Sequence, residues 1–114
     1  MKAKHSLFAT ILLFLLSTVN AQENCDERIV ERVPPKWVNH SERILEKHGS
    51  CSVDVLYDLS ADALVSVTGS TFEIQDCKRL QKSAESSVKV YRFTEGKDQK
   101  CVTKITFKMK NNGT

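Results

Sequence analysis

The sequence predicts a small α+β domain in which two helices cover one face of a three-stranded antiparallel sheet. Apolar and polar residues alternate through 51–59 and again through 101–109, which is typical of strands with one buried face. Between these strands Leu80, Ala84 and Val88 recur at helical spacing. The 114 residues are enough for one domain.

The elements are expected in the order α-β-β-α-β. A first helix at about 40–48 has Asn39 as a suitable N-cap, and Gly49 suits the position after its last turn. The other predicted elements are strands at 51–59, 64–76 and 101–109 and a second helix that begins near Asp76. Because that helix returns the chain across one face, the last strand lies antiparallel beside the first, which gives the order 2-1-3.

Residues 1–21 have the pattern of a cleaved secretory signal peptide. Lys2 and Lys4 precede the charge-free run Ser6–Val19, and small residues lead to a cleavage site after Ala21. The alternative is a membrane anchor, but the apolar run is shorter than the ~20 residues that span a bilayer. The mature chain is therefore predicted to be periplasmic or secreted.

Removal of 1–21 would reduce the 17 lysines and arginines to 15, because Lys2 and Lys4 are lost, against 14 acidic residues. This near-neutral balance favours neither nucleic acid nor an anionic membrane as a partner. The serines lie in no nucleophile pattern and the aspartates in no calcium-loop pattern. No catalytic residue, cofactor or small-molecule substrate is predicted, and a small secreted enzyme or inhibitor is the least favoured hypothesis.

The mature chain contains an even number of cysteines, namely Cys25, Cys51, Cys77 and Cys101, which favours disulfides in an exported domain. A metal site is the alternative, but zinc sites usually show closely spaced ligands, which are absent here, so no metal is predicted. In the predicted sheet Cys101 lies roughly 25 Å from Cys51. Since disulfide Cα atoms must lie within about 7 Å, the predicted pairs are Cys51–Cys77 and Cys25–Cys101.

The predicted register between the first two strands contains one inconsistency. Pairing Val53 with Ile74 and Val55 with Phe72 leaves Cys77 one residue out of register with its partner. A β-bulge, or a second strand that ends at Gln75, would correct this.

Several short patterns follow one another along most of the mature chain: Pro35-Lys36-Trp37, Gly49, the alternating run 51–59, Tyr91-Arg92-Phe93 and the closing run 105–109. Their order and spacing resemble the C-terminal domain of TonB. Val38, Asp62-Ala63 and Thr94-Glu95 depart from the turn residues of that family. The chain also lacks the long proline-rich spacer of energy-transducing TonB proteins.

The resemblance implies that the domain binds a segment of an outer-membrane receptor, or of another exported protein, by β-strand addition linked to TonB-dependent transport. The binding edge would be the last strand, through Val102, Thr103, Lys104, Ile105, Thr106, Phe107 and Lys108. Lys104 and Lys108 would favour an acidic partner, or they only protect the edge against aggregation. The same edge allows a homodimer. The alternative function is a structural or accessory periplasmic domain without a transport role.

The predicted organisation is a signal peptide at 1–21, an extended arm at 22–33, the TonB-like domain at 34–110 and a flexible tail at 111–114. Trp37, the only tryptophan, is expected in the core on the sheet face, with a ligand-binding platform as the alternative.

Overall fold

The computed structural model describes residues 22–38 and 41–109. The predicted signal peptide, the proposed N-cap Asn39 and the tail lie outside the described residues. The elements are β1 (Glu23–Asn24), a 3₁₀ helix (Asp26–Arg28), β2 (Ile29–Glu31), α1 (Ser41–His48), β3 (Ser50–Leu59), β4 (Val65–Phe72), a second 3₁₀ helix (Gln75–Leu80), α2 (Gln81–Lys89), β5 (Arg92–Phe93) and β6 (Gln99–Lys108). The predicted mixed α+β class with two α-helices and a sheet is confirmed.

The main sheet has four strands in the order β1-β6-β3-β4, so the prediction of a three-stranded sheet is wrong. β3 is antiparallel to both β4 and β6, whereas β1 runs parallel to β6. The additional strand comes from the N-terminal arm, where Glu23 and Asn24 lie opposite Cys101 and Val102. A second small sheet joins β2 to β5.

The register between β3 and β4 also differs from the prediction. Val53 lies opposite Phe72 and Val55 opposite Ser70, with a bulge at Leu56/Tyr57. The second long strand therefore ends at Phe72, before the predicted end at Asp76 and before the alternative end at Gln75. The chain bends after Phe72 and forms the 3₁₀ helix that contains Cys77. A helical turn there brings the cysteine back over the sheet, which a continued strand would not do.

The core lies between one face of the sheet and the helices. Alternate residues of β3 and β6 point into it, and the helices add their apolar sides. The largest fully buried apolar side chains are Tyr57, Leu45, Leu59, Leu80, Val53, Val55 and Val88. Complete burial of a side chain such as Leu45 contributes about 1.5–3 kcal/mol. The opposite face of the sheet is polar, as the Ser52–Thr106 hydrogen bond across β3 and β6 illustrates.

Both disulfides have the predicted partners. Cys25 and Cys101 have Cα atoms 5.6 Å apart, and Cys51 and Cys77 have Cα atoms 5.7 Å apart. The first disulfide holds the arm against β6, and the second holds the 3₁₀ helix Gln75–Leu80 against the start of β3. Two buried disulfides fit a protein that works outside the cytoplasm.

Residues Val33–Val38, which we call the strap, lie along α2. Ser87 donates a hydrogen bond to the carbonyl of Val33, and Ser83, one turn earlier in the helix, donates to the carbonyl of Lys36. The strap therefore runs in the opposite direction to α2. The two serines are buried, and they provide hydrogen bonds to carbonyl oxygens of the strap. The strap needs such partners because its two prolines prevent it from forming a regular helix.

The end of α1 is joined to the second 3₁₀ helix through Asp76. Its carboxylate accepts a hydrogen bond of 2.8 Å from His48 Nε2 and lies 3.4 Å from the ammonium group of Lys47. The hydrogen bond from His48, followed by the charge of Lys47, lowers the pKa of Asp76 below its usual 3.8. A carboxyl whose pKa falls on folding stabilises the folded state above its unfolded pKa and loses that contribution as the pH falls.

Replacing Asp76 with asparagine is therefore expected to lower the free energy of unfolding slightly at pH 6. The difference from wild type should shrink below about pH 4, because the carboxyl of Asp76 is then protonated in the unfolded chain and, at still lower pH, in the folded protein. Once it is neutral it resembles the asparagine of the variant. Urea unfolding at both pH values measures this difference. Asp62→Asn, in the exposed β3–β4 turn, controls for the loss of one negative charge. A difference that stays constant from pH 6 to pH 2.5 would contradict the expectation.

Candidate protein-binding edge

The last strand of the sheet has one edge that is only partly covered. β1 lies opposite Cys101 and Val102, and the chain then turns away from the sheet into the 3₁₀ helix Asp26–Arg28. Within the described residues, Thr103–Lys108 has β3 on one side and no strand on the other. We call this stretch the open edge. Its six residues extend over about 20 Å at the usual rise of a strand.

Six of the seven predicted binding residues therefore lie on the open edge. The seventh, Val102, is paired with Asn24 of β1. Thr103, Ile105 and Phe107 point into the core, and Lys104, Thr106 and Lys108 point to solvent on the open face of the sheet. Only backbone groups and the exposed side chains are thus accessible to a partner at this edge. Binding by these residues remains a prediction.

A chain of hydrogen bonds fixes the point where the arm leaves the edge. The Tyr57 hydroxyl donates to Thr103 Oγ1 at 2.8 Å, and Thr103 donates to the Asp26 carboxylate at 2.8 Å. Burial raises the pKa of Tyr57, so its hydroxyl remains a donor. Arg32 lies 3.6 Å from the same carboxylate. Because these contacts hold the arm at Asp26, the covered part of β6 ends at Val102.

A buried arginine fixes the loop that leads into β6. Arg28 is only 7% exposed, although it comes from a charged segment of the arm. Its guanidinium donates hydrogen bonds of 2.7–3.1 Å to the side chain of Gln99 and to the carbonyl oxygens of Ser60, Thr94 and Lys97. A Cβ atom on Gly96 would lie 2.9 Å from Arg28 Cζ, so any larger residue there would displace the guanidinium from its position. The sequence offered no signal for this role, because one arginine among many charges forms no local pattern.

The opposite edge of the sheet, at β4, is less suitable for an added strand. A bulge interrupts its pairing near Gly69, and bulges twist an edge away from a flat partner. Side chains of α2 also reach it, since Gln81 Nε2 donates to the carbonyl of Ser70 at 3.1 Å and Ser70 Oγ donates to Glu85 at 2.6 Å. The flat edge of this sheet is therefore the open edge of β6.

A groove of about 460 Å³ follows the end of the open edge, and we call it the edge groove. The strap forms one side with Pro34, Pro35 and Trp37, and α1 adds Glu42. The other side is formed by Thr106, Phe107 and Lys108 of β6 and by the following Met109. The prediction that Trp37 lies in the core is wrong, because the residue is 53% exposed. Its position follows from the strap, which lies outside α2 and leaves the indole beside the sheet edge. Sequence reasoning missed this groove because the strap and β6 are about 70 residues apart.

Among residues 22–38 and 41–109, no three histidine, cysteine, aspartate or glutamate side chains form a group that could hold a metal ion. No helix in the same part of the chain is both long and apolar enough to cross a membrane. No protein-family model matches the chain, and no curated protein or solved structure matches it either.

Proposed function

We propose that this protein is a periplasmic or secreted binding domain that takes up an extended segment of another exported protein as an additional strand of its sheet. The open edge carries this proposal, because six consecutive residues of a long strand have no strand neighbour on one side within the described residues. Main-chain hydrogen bonds at such an edge provide affinity, and neighbouring side chains provide specificity.

The domain is well organised for this task before a partner arrives. The Cys25–Cys101 disulfide, the Thr103–Asp26 hydrogen bond and the Arg28 contacts all hold the start of β6 and its loop. A preformed edge loses little conformational entropy when it binds, so more of the contact energy contributes to affinity. The resemblance to the TonB C-terminal domain supports an outer-membrane receptor as the source of the segment, in connection with TonB-dependent transport.

One observation favours the alternative of an accessory structural domain. The arm already pairs with Cys101 and Val102, and such a cover is a common protection of an edge against aggregation. In that case the lysines of the open edge would serve the same protective role. The two functions differ in whether Thr103–Lys108 responds to a partner peptide.

Titration of the ¹⁵N-labelled protein with synthetic peptides from the periplasmic segments of outer-membrane receptors tests the proposal. Strand addition is expected to shift the amide resonances of Thr103–Lys108 and to slow their exchange with solvent. Those of β4, at the other edge of the sheet, should stay unchanged and serve as the internal control. If no receptor peptide affects the protein, the accessory function is the correct one. A response confined to β4 would overturn the assignment of strand addition to the open edge.

A further inference from the structure

We propose that the open edge selects a partner segment in which acidic residues alternate with large apolar residues. This inference rests on the proposed strand addition and specifies the chemistry of the partner. The side chains of an added strand alternate between the two faces of the sheet. The faces beside the open edge differ in charge and polarity, so each favours a different class of side chain.

The open face of the sheet presents positive charge beside the added strand. Lys104 and Lys108 both point to this face, and neither forms an ion pair within the described residues. Lys100, on the same face, is 3.5 Å from Asp58. Lys104 has Asp54 opposite on β3, whereas Lys108 has only Ser50. Carboxylates of an added strand would therefore have Lys108 as their principal partner and Lys104 as the second.

The helical side of the open edge presents apolar surface and one acidic residue, Glu42, which disfavours a second carboxylate there. Trp37 and Met109 line the edge groove and are 53% and 41% exposed. Pro34 and Pro35 hold the strap extended beside them. A large apolar side chain from the added strand would enter this groove and remove the indole and the thioether from water. One strand can place carboxylates beside the lysines and apolar side chains in the edge groove only if its acidic and apolar residues alternate.

A second copy of this chain is a poor occupant of the same edge. Opposite residues share a face of the sheet only if an antiparallel pair of β6 strands is centred on Ile105 or on Thr106. A pair centred on Ile105 would place Lys108 opposite Val102, which β1 already covers. The pair that avoids β1 is therefore centred on Thr106. Side chains directly opposite share a face, so Lys104 would lie opposite Lys108 of the second copy, and this would occur twice. Like charges directly opposite each other destabilise a strand pair. Charge complementarity therefore favours an acidic strand from another protein.

Three synthetic hexapeptides test the selectivity by NMR and by the fluorescence of Trp37, the only tryptophan. One alternates glutamate with isoleucine, one contains the same residues as two blocks of three, and one alternates lysine with isoleucine. The alternating acidic peptide is expected to bind at least tenfold more tightly than the other two. It should also shift the Trp37 emission to shorter wavelength, because the indole leaves water.

Charge-reversed variants complete the test. Lys104→Glu combined with Lys108→Glu is expected to reverse the preference towards the alternating basic peptide. Lys82→Glu combined with Lys89→Glu, at exposed positions of α2, makes the same charge change away from the edge and should keep the wild-type preference. Equal binding of all three peptides, with amide shifts along Thr103–Lys108, would overturn the selectivity while strand addition stands. Dimerisation of the free protein through β6, seen by sedimentation, would also overturn it.

Discussion

Replacement of Arg28 by methionine is expected to lower the free energy of unfolding by about 3 kcal/mol. Hydrogen bonds from a charged donor are worth about 1.5–3 kcal/mol each and several are lost together, but the variant also removes the desolvation cost of a buried charge, which offsets part of the loss. The carbonyl oxygens of Ser60, Thr94 and Lys97 would lose their donor. Methionine retains much of the apolar stem but supplies no donor. Urea unfolding followed by far-ultraviolet circular dichroism measures the loss.

Two further variants separate the hydrogen bonds of Arg28 from its charge. Arg28→Lys keeps the charge, but a single ammonium group cannot reach all the acceptors of the planar guanidinium. This variant should therefore recover only part of the lost stability. Arg92→Met is the matched control, since Arg92 is mostly exposed and has an ion pair of 3.3 Å with Glu31. Exposed pairs of this kind contribute about 0–1 kcal/mol. Equal unfolding midpoints for the Arg28 and Arg92 variants would show that the buried guanidinium does not stabilise the fold.

Removal of the Cys25–Cys101 disulfide by a double alanine substitution is expected to have the largest effect on stability. Its cysteines are 76 positions apart, and the chain-entropy model assigns about 4.5 kcal/mol to a loop of that length. The Cys51–Cys77 disulfide closes a separation of 26, for which the same model gives about 3.5 kcal/mol. Many domains have a total stability of only about 5–15 kcal/mol, so either loss is severe.

The two disulfide variants should also differ in their local effect. Without Cys25–Cys101, β1 is held mainly by its short strand pairing and by the Thr103–Asp26 hydrogen bond. Faster amide exchange is therefore expected at position 101 and at Val102 in this variant, because a two-residue strand is marginal by itself. The Cys51–Cys77 variant is the control and should keep that protection. Retained protection of Val102 in both variants would show that the arm is held without its disulfide.

The α+β class and both disulfide pairs could be predicted from the sequence, because they depend on periodicity and connectivity. Alternation in 51–59 and 101–109 indicates strands with one buried face. The helical spacing between them indicates a helix that carries the chain back across the sheet. Once the strands are placed, the reach of a disulfide restricts the pairing of the cysteines. The seven predicted edge residues all lie on β6 for the same reason, and their role in binding stays a prediction.

The sequence by itself determined the α+β class and the residues of β6 that face the core, because these follow from patterns within single segments. Only the tertiary structure decided which of those residues have a free backbone edge and what lies beside them. The arm adds β1, Arg28 holds a distant loop and the strap brings Trp37 to the edge groove. Each depends on contacts between segments about 30 to 80 residues apart, and such contacts arise from the packing of the whole chain and leave no local pattern.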